Sequence, residues 1–227
     1  MIAVAFARAV DRALELVVTG TGRSGTGYAA RWLTSVGIPA GHEAFFDHRG
    51  LEHALRMLAS RGEHYRAECS WEAAPFLDSQ PLRDALVVHQ VRHPKRVIES
   101  CLRVPPGITP HYERYLEKHL TLVLRYKTEL DKAACRWVHW NRMIEEAAQG
   151  REHYFWRVED GTDGLLRWLD RHGLVDASRF NRAQMFHNTR HNHKHGPPVE
   201  ARLEDICPEL GFALRDQMDR YGYLRWE

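Results

Sequence analysis

The sequence has few cysteines: Cys69, Cys101, Cys135 and Cys207 lie far apart, with no CxxC pair. Neither a disulfide frame nor a zinc site of ordinary spacing is expected; small buried residues in a reducing compartment are. No stretch approaches the roughly 18–20 apolar residues that a membrane span needs. Met1 to Val10 is apolar but short, and runs into Asp11 and Arg12 without a small-residue cleavage site, so no signal peptide is expected and the cytoplasm is the default location. Net charge is only +2, without the dense basic excess of a non-specific nucleic-acid binder. There is no internal repeat and no low-complexity linker, so the 227 residues are expected to form a single domain.

What is present is the balance of a globular chain able to bury a core, with 44% hydrophobic and 27% charged residues. Fifteen histidines stand out, since an unperturbed imidazole titrates at about pH 6.5 and the chain would gain positive charge in mild acid. Strands are expected at Leu14–Thr19, His64–Cys69, Ala85–Val91 and Tyr154–Val158, from β-favouring runs bounded by turn residues. Helices are expected from Tyr28 to Val36, from an Asp47 cap through about Ser60, and from Pro94 to Leu102. Further helices are expected from Tyr112 to Gln149 with a break near Asp131, from Gly164 to His172, and from Pro208 to Arg220. Asp176 to Pro198 reads as an irregular polar stretch. Strands alternating with helices imply an α/β fold with a central, mainly parallel sheet between two helical layers. Ligands of such sheets sit at the carboxyl ends of the strands.

At the end of the first expected strand stands Gly20-Thr21-Gly22-Arg23-Ser24-Gly25-Thr26-Gly27-Tyr28. Several backbone N–H groups must converge on a phosphate, and glycines let the chain approach without a Cβ in the way. The following helix adds its free amides and positive dipole end. Gly22, Gly25 and Gly27 supply room, Arg23 charge, and Ser24 and Thr26 hydroxyls. The triphosphate version of such a loop carries Lys and then Ser or Thr after its last glycine. Here Thr26-Gly27 follows Gly25 and no lysine is present.

A second strand–turn–helix places Arg92 at the end of Ala85–Val91 and Ser100 eight residues further on, two turns into the next helix. A guanidinium and a hydroxyl in those places suit a second phosphate. Together, Arg23-Ser24-Gly25-Thr26 and Arg92 with Ser100 resemble the two nucleotide motifs of sulfotransferases that use 3′-phosphoadenosine 5′-phosphosulfate (PAPS). The resemblance covers Leu14 to Ser100. It implies a three-layer α/β/α fold similar to that of P-loop nucleotide hydrolases, PAPS as co-substrate, and no metal. Arg23 then faces the leaving group, and Tyr28 falls where an aromatic residue lies near adenine.

The base is expected just past the first helix, in Gly37-Ile38-Pro39-Ala40-Gly41-His42-Glu43-Ala44-Phe45-Phe46. The context resembles bacterial carbohydrate sulfotransferases with a catalytic Glu, matching Glu43, with His42 as the alternative. Phe45 and Phe46 beside Glu43 suggest a raised carboxyl pKa, suited to a general base near neutrality. The implied partner is a hydroxyl-bearing small molecule or glycan, in particular a carbohydrate or glycolipid. Ser70 or Trp71 is placed to line its pocket, whereas Trp137 and Trp140 read as packing residues. The histidine-rich run from His187 to His195 reads as a solvated loop, a metal site, or a closing loop in which Arg190 or Lys194 meets the 3′-phosphate. Two other functions stay open, a P-loop kinase or nucleotide hydrolase and a non-catalytic nucleotide-binding protein. Oligomeric state is not legible.

Overall fold

A computed structural model of the chain describes residues 14–104, 110–180 and 199–227. They divide into two compact units, one within Met1–Val91 and Ile144–Thr189, the other within Arg92–Met143 and Arg190–Glu227.

The first unit holds the sheet. Its strands are β1 (Leu16–Thr19), β2 (Ala40–His42), β3 (Ala67–Cys69), β4 (Leu86–Val91) and β5 (His153–Arg157), in the spatial order β2-β3-β1-β4-β5. Every pairing is parallel, with Val18 opposite both Cys69 and Val88, and His42 opposite Cys69. The expected α/β class and parallel sheet are therefore observed, with helices flanking the sheet as in a three-layer α/β/α arrangement. β1 lies at the centre because Leu16, Val17 and Val18 are apolar without alternation, as a strand covered on both faces must be.

Helices α1 (Thr26–Ser35) and α7 (Asp163–Arg171) supply much of the core of this unit. Trp32, Leu33, Trp156, Leu165, Trp168 and Leu169 cluster there with Leu16 and Val18. The Trp156 indole N–H donates to the Gly161 carbonyl at 2.7 Å, so this buried ring keeps its donor satisfied. Arg151 fastens the segment before β4 by donating to the carbonyls of Leu77 (2.7 Å), Leu82 and Ala85 (3.0 Å). The same unit holds α2 (Leu51–Arg61) and the short α3 (Gln80–Arg83).

The second unit is helical, with α4 (Pro94–Leu102), α5 (Pro110–His119) and α8 (Pro208–Arg220), joined by α6 (Glu129–Ala148) as far as Met143. Trp137 and Trp140 are buried, as expected of packing residues; Trp137 meets Tyr221 edge-on at 5.7 Å, and Trp140 meets Tyr115 at 6.3 Å. Asn141, buried beside them, donates to the Trp137 carbonyl at 2.8 Å.

One strand was not expected, one expected cap is corrected, and the expected break near Asp131 is observed with its exact place. Ala40–His42 is a strand, although it has only three residues and a glycine at its centre; pairing with β3 supplies what local preference lacks. Asp47 does not cap α2. Its carboxylate is taken by the backbone N–H and guanidinium of Arg49, and the helix begins after Gly50. The break in the long helical segment falls before Asp131, at a 3₁₀ turn over Thr121–Arg125. There Thr128 and Asp131 bond reciprocally, the Thr128 hydroxyl donating to the carboxylate at 2.6 Å and accepting the Asp131 N–H at 3.0 Å. α4 and α8 have the expected bounds.

Candidate functional site

β1 and β4 are neighbours, yet the chain leaves β1 toward β2 on one side and β4 toward β5 on the other. That divergence is a topological switch point, where loops part at the carboxyl ends of a parallel sheet and leave room for a ligand. Residues 20–25 occupy the β1 side of it.

The loop is built against β4. Gly20 has a requirement unrelated to phosphate, because a Cβ there would overlap the backbone carbonyl of Gln90 and come within 2.7 Å of the Ser24 hydroxyl. Gln90 is fully buried, and its amide donates to the Ser24 carbonyl at 3.3 Å. Gly25 precedes α1 at φ 107°, a conformation costly for a residue with a Cβ, and no side chain caps the helix's first turn. Ser24 Oγ and Gln90 Oε1 are buried without hydrogen-bond partners. A helix start without a cap or acidic first-turn residue, beside the unpartnered Ser24 hydroxyl, is a donor set that fits an anion, whereas the Gln90 oxygen is an acceptor and no part of it. Ser24 and Thr26 are buried, and Gly22, Arg23, Gly25, Gly27 and Tyr28 are half-buried.

The candidate bases stand at the same helix end. His42 Nε2 is 3.2 Å from Thr26 Oγ1, and a Cβ on Gly27 would meet the His42 ring at 3.3 Å. Glu43 Oε1 is 3.5 Å from His42 Nε2, and both side chains remain partly open to solvent. Among the described residues only two with a side chain have positive φ, Arg23 at 74° and Glu43 at 52°. A left-handed conformation costs such a residue about 1–2 kcal/mol. It persists where the surroundings over-determine it, commonly at functional sites.

Glu43 begins a turn that sequence reasoning did not resolve. Its N–H donates to the Cys69 carbonyl at 3.3 Å. The next residues bring Phe45 and Phe46 into the core, fully buried, with their N–H groups donating to Glu68 Oε1 at 3.2 and 3.3 Å. Two carboxyls beside this turn, Glu68 and Glu72, are raised. Burial pushes Glu68 up to about 8, against the backbone N–H bonds and aided by the Glu43 charge. Burial also pushes Glu72 up to about 8, helped by the nearby carboxylates of Glu43, Asp47 and Glu68. The signal for Glu68 lay in its position, a charged residue inside a strand covered on both faces.

Ser70 and Trp71 are both buried; the Ser70 hydroxyl is engaged with the Phe46 carbonyl at 2.7 Å and the Glu72 N–H at 3.0 Å. Tyr28 packs against Trp156 at 6.2 Å between ring centroids. In the second unit, Arg92 is the first residue after β4 and its carbonyl accepts the Trp137 indole N–H at 3.0 Å, while Ser100 is half-buried in α4. Arg190, Lys194 and the run from His187 to His195 lie outside the described residues. Among the described residues, no helix is long and apolar enough to cross a membrane, and no group of three or more His, Cys, Asp or Glu residues could hold a metal ion. No protein-family model and no curated protein matches the chain.

Proposed function

We propose that the protein is a sulfotransferase that moves a sulfuryl group from PAPS to a hydroxyl acceptor. The observation that carries the reading is the placement of His42 against Thr26 at the uncapped start of α1, with the Glu43 carboxylate next to His42. An uncapped helix start and a solvent-open carboxylate lie near one another, which supports in-line group transfer at this place. The resemblance through Arg23-Ser24-Gly25-Thr26 and through Arg92 with Ser100 supplies the donor. The absence of a lysine after Gly25 disfavours a triphosphate.

The donor, when bound, brings an activated sulfuryl group on a phosphate leaving group. Glu43 accepts the proton of the acceptor hydroxyl as that oxygen bonds to sulfur and the bond from sulfur to the 5′-phosphate oxygen breaks. Arg23 and the first amides of α1 hold the charge gained by the departing bisphosphate. His42, between Thr26 and Glu43, orients the carboxylate. A carbohydrate or glycolipid hydroxyl is the acceptor the Glu43 context implies.

Thermal-shift measurement tests the nucleotide. Adenosine 3′,5′-bisphosphate should stabilise the protein without Mg²⁺; stabilisation by ATP alone, and only with Mg²⁺, would replace this reading with a kinase or hydrolase. Sulfate transfer from PAPS to a panel of hydroxyl acceptors then separates an enzyme from a binding protein.

A further inference from the structure

The turn that carries Glu43 is held from one side by β3 and the residue after its carbonyl end. The Cys69 carbonyl accepts the Glu43 N–H, Glu68 Oε1 accepts the N–H groups of Phe45 and Phe46, and Ser70 Oγ donates to the Phe46 carbonyl. Three residues of the turn, Glu43, Phe45 and Phe46, are thus tied to three consecutive residues of another segment. Nothing of this kind is needed to close a strand end. An ordinary turn satisfies its amides with its own carbonyls or with water, and does not draw a carboxyl group into the interior to do so.

Glu68 is fully buried, and its second oxygen, Oε2, has no hydrogen-bond partner. The space above Oε2 is kept by Gly41, where a Cβ would come within 2.6 Å of both Oε2 and the Ala44 side chain. A buried carboxyl with one unmade oxygen is destabilising by itself, since a polar group taken out of water without a partner loses its hydration and gains nothing in exchange. The return for that cost lies in the turn it fixes, whose first residue has φ 52°.

We propose that Glu68 and Ser70 are positioning residues that hold Glu43 in its left-handed conformation beside His42 and the start of α1. The inference rests on the reading of Glu43 as the proton acceptor. Tied at residues 45 and 46, the chain cannot relax at residue 43 without giving up buried hydrogen bonds. The Glu43 carboxylate is thereby pre-set next to the sulfuryl site. The raised pKa of Glu68 agrees with this role, because a neutral carboxyl still accepts through Oε1 and adds no second negative charge behind Glu43. An amide should then serve as well as the acid.

Amide hydrogen exchange and turnover, measured on the full chain, test the proposal together. Glu68→Ala should speed exchange at Phe45 and Phe46 while Val88 in the central sheet keeps its wild-type rate. It should lower kcat about 100-fold, the cost of misplacing a reacting group by about 1 Å, and leave the KM for PAPS within about twofold. Glu68→Gln should restore both slow exchange and turnover. If Glu68→Ala does not fold, Ser70→Ala decides the same question from the other end of the turn. Fast exchange with wild-type kcat would overturn the positioning role. So would a Glu68→Gln variant that is slow to exchange yet inactive, which would make Glu68 a proton carrier. Wild-type protein that transfers no sulfate would instead overturn the sulfotransferase reading, leaving exchange alone to decide whether the turn is tied.

Discussion

His42 Nε2 lies 3.2 Å from the Thr26 hydroxyl, joining the end of β2 to the first residue of α1 across sixteen positions of sequence. The contact depends on Gly27, whose missing side chain lets the imidazole settle against the helix start. The Glu43 carboxylate lies 3.5 Å from the same nitrogen.

The relative importance of the two neighbours can be measured directly. Glu43→Gln should reduce sulfate transfer by about 10²–10⁴-fold, the usual contribution of a positioned general base. Stabilisation by adenosine 3′,5′-bisphosphate should stay unchanged. His42→Gln should cost less, because it removes an orienting partner and leaves the base. The reverse order would move the base to His42.

Arg92 is tested by ligand discrimination. Wild-type protein should bind adenosine 3′,5′-bisphosphate more tightly than AMP, and Arg92→Ala should lose about 10–100-fold of that preference, as expected for a charge-assisted bond of about 1.5–3 kcal/mol. Equal weakening toward both ligands in calorimetric titrations would mean that Arg92 does not read the 3′-phosphate.

Gly20→Ala probes the loop without reference to any ligand. Its methyl would overlap the Gln90 carbonyl, which belongs to β4 and cannot swing away as a side-chain end can. Overpacking of this kind costs about 1–3 kcal/mol. A thermal midpoint equal to that of wild type would show that the loop and β4 are less closely set.

A pH series reads the buried carboxyls. The Glu68 carboxyl is raised from 4.5 in the unfolded chain to about 8 in the native protein. Between those values the native state keeps a proton that the unfolded chain has released, so the stability it contributes is complete below about 4.5 and declines as pH rises toward 8. Glu72 has the same sign and window. His53, His119 and His139, whose pKa values burial lowers, act in the opposite direction in acid, so the informative quantity is the difference between wild type and Glu68→Gln. That difference in thermal midpoint should fall from pH 5 to pH 8; parallel curves would remove Glu68 as a proton-linked group.

Much of the architecture was legible from local pattern. Runs such as Leu86–Val91 and first-turn prolines such as Pro94 and Pro208 act within a few residues, so the elements they define keep their expected place. β2 was not legible, because Ala40, Gly41 and His42 have little intrinsic preference for a strand and owe it to pairing with Ala67, Glu68 and Cys69. The Asp47 cap failed for a similar reason, as Arg49 competes for the carboxylate at closer range than the helix start.

The glycine loop, its following helix and the candidacy of Glu43 and His42 are properties of sequence, since each rests on residue types at short spacing. Tertiary structure decided that His42 touches Thr26, that Gln90 underlies the loop and requires Gly20, and that Glu68 and Ser70 fasten the turn beyond Glu43. These are contacts between residues at least 16 positions apart, brought together by the parallel order β2-β3-β1-β4. Strand order is set by how the whole core packs, and a local pattern does not encode it.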